Sequence, residues 1–180
     1  MGESVEKQIM SNIRVIPDFP QEGVSFKDIT LLLKDPELFK KCIDALKDVC
    51  EQIDFDVIVA PEARGFIIGS ALAYAMGKGF APVRKKGKLP WDTLQGEYEL
   101  EYGTDTLEIH KDAVEPGQRV LVVDDLLATG GTIAATIDMV DKLGGEIAGV
   151  VFLIELTYIP GRANLSKMGY EVYSVVKLES

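Results

Sequence analysis

Val120-Leu-Val-Val-Asp124-Asp125-Leu-Leu-Ala128-Thr129-Gly130-Gly131-Thr132 is the stretch on which the fold turns. Its apolar start reads as a buried strand, two carboxylates sit at the strand's carboxyl end, and a Thr-Gly-Gly-Thr turn opens the next helix. Such a turn suits a sugar phosphate. Glycine lets the backbone approach a ligand, and the free N–H groups of a helix start carry about half a positive charge, which attracts a phosphate. The hydroxyls of Thr129 and Thr132 add donors. Asp124 and Asp125, acceptors only when ionised, match the hydroxyls of a ribose or the hydration shell of a Mg²⁺ ion.

The segment is neither of two widespread phosphate loops. It lacks the Gly-Lys-Ser/Thr ending that sets a lysine on a triphosphate, and the G-x-G-x-x-G of dinucleotide folds. An isolated Thr-Gly-Gly-Thr is also an ordinary turn, because these residues favour turns for local reasons. The adjoining acids set this one apart. An apolar run, Asp-Asp, an apolar pair and then Ala-Thr-Gly-Gly-Thr resembles the signature of the type I phosphoribosyltransferases, which bind 5-phosphoribosyl-1-pyrophosphate (PRPP).

Outward from this stretch, helices and strands alternate, which predicts a mostly parallel sheet covered on both faces. Residues 4–12 read as a helix and 17–23 as a loop broken by Pro17 and Pro20. A helix is predicted over 36–52, with Asp35 as its cap and Pro36 in its first turn. Leu38, Phe39, Cys42, Ile43, Leu46, Val49 and Cys50 recur there at helical spacing. A buried strand at 56–60, a helix over 66–76 ending at Gly77, and a short strand at 80–83 follow. Alternation over 91–109 predicts a hairpin. The core resumes with a strand at 119–123, a helix over 133–143 ended by Gly144-Gly145, and strands at 147–153 and 170–176.

Pro61-Glu-Ala-Arg64-Gly65 is a second strand-to-helix turn, able to bind another anionic group through Arg64. Arg84-Lys85-Lys86-Gly87-Lys88 gathers four cations in an acidic chain. Such a run is often a solvated loop. Here the preceding strand brings it near both phosphate turns, and Gly87 and Pro90 punctuate a segment that can close over a reactive centre.

Across nearly its whole length the chain resembles the adenine phosphoribosyltransferases, a branch of the type I family. The resemblance is carried by Pro17-Asp-Phe-Pro20, Gly23-Val-Ser-Phe26-Lys-Asp-Ile29, Ala63-Arg-Gly-Phe66, Val83-Arg-Lys85, Gly87-Lys-Leu-Pro90, Leu100-Glu-Tyr-Gly-Thr104 and residues 122–132, in the family's order. It implies an α/β fold: a three-layer, doubly wound, mostly parallel sheet in a single domain over 1–180. A small N-terminal hood (about 1–34) and a flexible hairpin lid (about 84–109) are implied with it. The implied reaction is adenine plus PRPP giving AMP and pyrophosphate, with Mg²⁺ held mainly by PRPP and no protein metal site. Ala128, Thr129, Gly130, Gly131 and Thr132 are then expected to bind the 5-phosphate, and Asp124 and Asp125 the ribose hydroxyls. Arg64, Arg84, Lys85, Lys88 and Tyr102 are expected at the pyrophosphate, and Val24, Ser25, Phe26, Lys27 and Leu126 at adenine. Glu101, on the lid, is the expected acid or base, with Arg64, Asp124 and Asp125 completing the catalytic group. Against that role, Glu97, Glu99 and Glu101 share one face of an alternating strand, as solvent-facing residues do. The resemblance also implies a homodimer.

With 180 residues and 47% hydrophobic content, one sizeable core is expected, and a net charge of −10 argues against nucleic-acid or membrane-surface binding. The single histidine, His110, reads as a strand-surface residue, so a zinc site is not expected. Cys42 and Cys50 lie about 12 Å apart along one predicted helix, too far for a disulfide, and read as buried apolar residues of a cytoplasmic protein. Two other readings share the PRPP site: a PRPP-binding regulator without catalysis, and transfer to a different purine. The first lacks a nucleic-acid surface, and the hood motif disfavours the second.

Overall fold

The computed structural model describes residues 4–100 and 103–180, with only the backbone of 99, 100, 103 and 104. Glu101 and Tyr102 therefore lie outside the described residues. The chain forms two compact units, residues 1–45 and 46–180.

The first unit opens with α1 (Val5–Ser11), capped by the Ser4 hydroxyl, which accepts the Lys7 N–H. Two short strands that lack a readable alternation, β1 (Arg14–Ile16) and β2 (Phe26–Asp28), pair antiparallel around the expected loop. Helix α2 (Thr30–Lys34) leads into α3 (Pro36–Cys50), which runs across the division between units. Asp35 caps α3 as expected, its Oδ1 accepting the Glu37 and Leu38 N–H groups at 3.0 and 2.9 Å. Cys42 and Cys50 are buried free thiols, and burial pushes their pKa values up to about 11 and about 12.

The second unit contains β3 (Val57–Pro61), α4 (Arg64–Met76), β4 (Gly79–Lys85), β5 (Thr93–Leu100) and β6 (Gly103–His110). It continues with β7 (Arg119–Leu127), α5 (Gly131–Leu143), β8 (Glu146–Leu156), α6 (Gly161–Lys167) and β9 (Val172–Leu178). The sheet order is β5-β6-β4-β3-β7-β8-β9, with β4 to β9 parallel across the centre and the β5–β6 hairpin antiparallel at one edge. From β3 the chain crosses outward to β4, then returns to the other side of β3 as β7 and crosses outward again to β8 and β9. Right-handed crossovers in opposite directions put α4 on one face and α5 and α6 on the other. Fully buried Ile58, Val59, Leu121, Val122, Val150 and Phe152 fill the centre, each contributing about 1.5–3 kcal/mol of apolar burial.

Two strands run past their expected ends for a tertiary reason, and one helix was not expected. Strand β7 continues through Asp124 and Asp125 to Leu127, because Leu126 and Leu127 pair with Ile154 and Glu155 of β8. The carboxylates thus sit within the strand rather than beyond its end, Asp124 half-buried and Asp125 only 3% exposed. Strand β4 extends over Arg84 and Lys85, which pair with Glu108 and Leu107 of β6, so the basic segment begins on the sheet. The short helix α6 has no counterpart in the sequence reading. His110 is half-buried rather than on a strand surface, with its ring edge-on to Trp91 at 6.4 Å between centroids.

Candidate active site

The reversal of strand order between β3 and β7 creates the crevice at which ligands bind in open α/β sheets. Both expected phosphate turns stand at its rim, one after β3 and one after β7.

The turn after β7 folds around Gly130, whose φ of 85° is the left-handed conformation that a side chain resists. No side chain caps α5, so its first N–H groups are not taken up by a cap. They border a cavity of about 100 Å³ lined by Asp124, Leu126, Leu127, Ala128, Thr129, Gly130, Gly131, Thr132 and Ile133. That is roughly three times the volume share of one water in the liquid, ~30 Å³. The structure thereby joins the expected phosphate residues to Asp124 and Leu126.

The turn after β3 begins α4 directly at Arg64, two residues before the expected start. Arg64 Nε lies 3.0 Å from Asp125 Oδ2, without the alignment of a hydrogen bond. The Asp124 Oδ1 atom accepts the Asp125 N–H at 2.8 Å. Burial pushes the Asp124 carboxyl well above the usual carboxylate range, and the neighbouring Asp125 charge adds to this, while Arg64 opposes it. Asp125 is raised as well, by burial first, with Arg64 pulling the other way. Two adjacent acids are thus held short of hydration in the crevice. Sugar hydroxyls or a metal-bound water would relieve them.

Of the basic segment, Arg84 Nε donates to Glu62 Oε2 at 2.8 Å and Arg84 Nη1 to the Lys88 carbonyl at 3.1 Å. Lys85 Nζ pairs with Asp105 at 3.0 Å. Buried Glu108 accepts the Lys88 and Leu89 N–H groups through one oxygen, at 3.0 and 2.9 Å. These contacts tie the root of the hairpin to the sheet. The hairpin also crosses α5 closely at Gly96, where a β-carbon would come within 2.9 Å of Met139 Cγ.

Val24, Ser25, Phe26 and Lys27 belong to the first unit. There the Phe26 ring meets Phe19 edge-on at 5.3 Å, and buried Lys27 donates from Nζ to Ser25 Oγ at 3.2 Å.

Several residues of the crevice escaped the sequence reading. Gly65 brings α4 so close to β7 that a β-carbon would sit 2.8 Å from Asp124 Oδ1. Its place directly after Arg64 was the available signal. Glu62 orients Arg84, and Glu108 orients the basic segment, yet its charge between Leu107 and Ile109 reads locally as a solvent-facing position. Asn164 of α6 donates to the Thr129 carbonyl at 3.1 Å.

Among the described residues no group of three or more His, Cys, Asp or Glu side chains could hold a metal by itself. Asp124 and Asp125 offer oxygen ligands of the kind Mg²⁺ takes, with the remaining ligands left to waters and substrate phosphates.

The phosphoribosyl transferase domain family matches residues 28–176. An adenine phosphoribosyltransferase of Acetivibrio thermocellus is 56% identical over 170 residues, covering 94% of this chain and 98% of its own length. The crystal structure of the adenine phosphoribosyltransferase from Thermoanaerobacter pseudethanolicus superposes with a TM-score of 0.94 at 55% identity, over 97% of this chain and 100% of that one. The Saccharomyces cerevisiae adenine phosphoribosyltransferase, crystallised with an imino-altritol bisphosphate and adenine, gives a TM-score of 0.87 at 39% identity, over 95% and 98% of the two chains.

Proposed function

The chain belongs to the phosphoribosyltransferase family, and on that premise we infer that it transfers the 5-phosphoribosyl group of PRPP to adenine, yielding AMP and pyrophosphate in purine salvage. The observation that carries this reading is the pair of strand-to-helix turns meeting where the strand order reverses. One turn is lined by an uncapped helix start and the other begins at Arg64 beside Asp125.

Displacement at an anomeric carbon passes through an oxocarbenium-like state, with positive charge on the sugar and negative charge on the leaving group. The protein therefore acts chiefly by alignment and charge placement. The N–H groups and hydroxyls of residues 128–132 hold the 5-phosphate, and the Asp124 and Asp125 carboxylates accept from the ribose hydroxyls. Arg64, Arg84, Lys85, Lys88 and Tyr102 receive the pyrophosphate. The pairing of Arg64, Arg84 and Lys85 with Asp125, Glu62 and Asp105 aims those cations before the anion arrives. Val24, Ser25, Phe26, Lys27 and Leu126 recognise adenine, and Glu101 moves its proton; these roles rest on the family motifs. Mg²⁺ would be held mainly by the oxygens of PRPP, with Asp124 and Asp125 facing its hydration shell, and would supply charge neutralisation when bound.

A homodimer and a cytoplasmic location complete the reading. The free buried cysteines favour a reducing compartment, and among the described residues no helix is long and apolar enough to cross a membrane.

Incubation with PRPP, Mg²⁺ and each purine in turn tests the assignment. AMP from adenine is expected, and turnover of guanine with none of adenine would refute it.

A further inference from the structure

Helix α6 carries none of the residues assigned to substrate, yet it props up the phosphate turn from three of its residues, Gly161, Asn164 and Leu165. At Gly161 a β-carbon would lie 2.1 Å from the Ala128 carbonyl oxygen. Asn164 Nδ2 donates to the Thr129 carbonyl at 3.1 Å. Leu165, 1% exposed, packs beneath Gly130, 3.5 Å from where that residue's β-carbon would be.

These contacts have an orienting consequence. The Ala128–Thr129 and Thr129–Gly130 peptides are not among the cis bonds of the chain, and in a trans peptide the C=O and the following N–H point in opposite directions. Two carbonyls turned toward α6 therefore turn the Thr129 and Gly130 N–H groups away from it. Those groups join the amides at the start of α5 in a single concave set of donors.

The helix itself is held from behind. Arg162 Nε and Nη2 donate to the two oxygens of Glu155 at 2.6 and 2.5 Å, and Nη1 donates to the Val172 carbonyl at 2.6 Å. Ser174 Oγ donates to Glu155 Oε2 at 2.6 Å. Glu155 is 3% exposed and stands on β8 opposite Leu127, the last residue of β7. One bidentate pair, its carboxylate buried and its guanidinium half-buried, thus couples the end of β7, β9 and α6 into a seat for the turn.

We propose that Asn164, seated by the Glu155–Arg162 pair, is a positioning residue for the 5-phosphate end of PRPP, acting through the Thr129 carbonyl. This rests on the reading of residues 128–132 as the phosphate turn. Losing the Asn164 bond frees the Thr129–Gly130 peptide to rotate, so the cost falls on PRPP and not on the base.

Asn164 is exposed, so Asn164→Ala should fold normally. Its KM for PRPP should rise about three- to tenfold, the worth of one hydrogen bond. The KM for adenine, kcat and the melting temperature should stay near wild type. Asn164→Asp, the same shape without the N–H donor and with added negative charge, should raise the PRPP constant at least as much. Arg162→Met should raise it further and also lower the melting temperature. An unchanged PRPP constant in Asn164→Ala, or equal rises for both substrates, would overturn the proposal while wild-type AMP synthesis upheld the reading beneath it. If the wild type made no AMP, PRPP titration by calorimetry would still decide the point: equal affinity of wild type and Asn164→Ala would overturn it.

Discussion

Replacing Gly65 by alanine should damage the chemistry and spare the fold. The new β-carbon would sit 2.8 Å from Asp124 Oδ1, roughly 0.6 Å short of the 3.4 Å at which ordinary contact begins. The carboxylate must retreat by about that much. It accepts the Asp125 N–H at 2.8 Å, so the retreat stretches this bond to about 3.4 Å, beyond the usual ~2.7–3.2 Å range. A hydrogen bond to a charged group is worth about 1.5–3 kcal/mol, which corresponds to about ten- to a hundredfold. Misplacing a reacting group by ~1 Å carries a similar penalty of ~10²-fold. Steady-state kinetics with varied PRPP should therefore show kcat/KM reduced about ten- to a hundredfold. Gly69→Ala, one turn further along α4, is the control. Its β-carbon meets the Ala60 β-carbon at 3.0 Å and a Phe80 ring carbon at 3.1 Å, an apolar clash. Overpacking of this kind costs about 1–3 kcal/mol of stability, so its melting temperature should drop while folded molecules keep wild-type kcat/KM. Wild-type kcat/KM in Gly65→Ala, or a loss confined to its melting temperature, would refute the reasoning.

Asp124→Asn should make the ligand-free protein more stable at neutral pH while lowering AMP formation. A carboxyl whose folded pKa is raised destabilises the fold fully above that pKa, and acidification toward the unfolded value of ~3.9 relieves the penalty. The stability gap between variant and wild type should thus be open at pH 8 and close as the pH falls; a variant melting below wild type at pH 8 would contradict this. Gly130→Val should raise the PRPP constant, because positive φ strains a β-branched residue by about 1–3 kcal/mol and its side chain enters a space bounded by Leu165 and Leu127. Unchanged PRPP affinity by calorimetry in a folded Gly130→Val protein would remove that turn from the site.

Local chemistry made much of this molecule readable in advance. Asp35 caps the helix it was expected to cap, Gly77 and Gly144 end their helices in the left-handed conformation, and residues 128–132 border the cavity at a strand-to-helix turn. What stayed hidden depends on distant partners. Nothing local shows that Leu126 and Leu127 remain in a strand, because Ile154 and Glu155 hold them there. The burial of Asp125 follows from that extension and from Arg64, far away in sequence. Helix α6 spans only seven residues, too few for a periodic apolar face, and its importance comes from carbonyls in another loop. Glu108 reads as a surface charge until the Lys88 and Leu89 amides close over it.

The seam between β3 and β7, with Val57, Ile58 and Val59 opposite Val120, Leu121 and Val122, has no chemistry of its own, yet it works as the ruler of the site. A slip of one residue would turn every side chain beyond it to the wrong face. A slip of two would restore the faces but carry Arg64 some 6–7 Å past Asp125, at ~3.3 Å per residue, where their contact is now 3.0 Å. The alignment of the two phosphate turns is thus written in aliphatic side chains that never meet a substrate. Lengthening the excursion between β4 and β7 leaves that ruler untouched, whereas a single misfitting valine in the seam can silence catalysis from within the core.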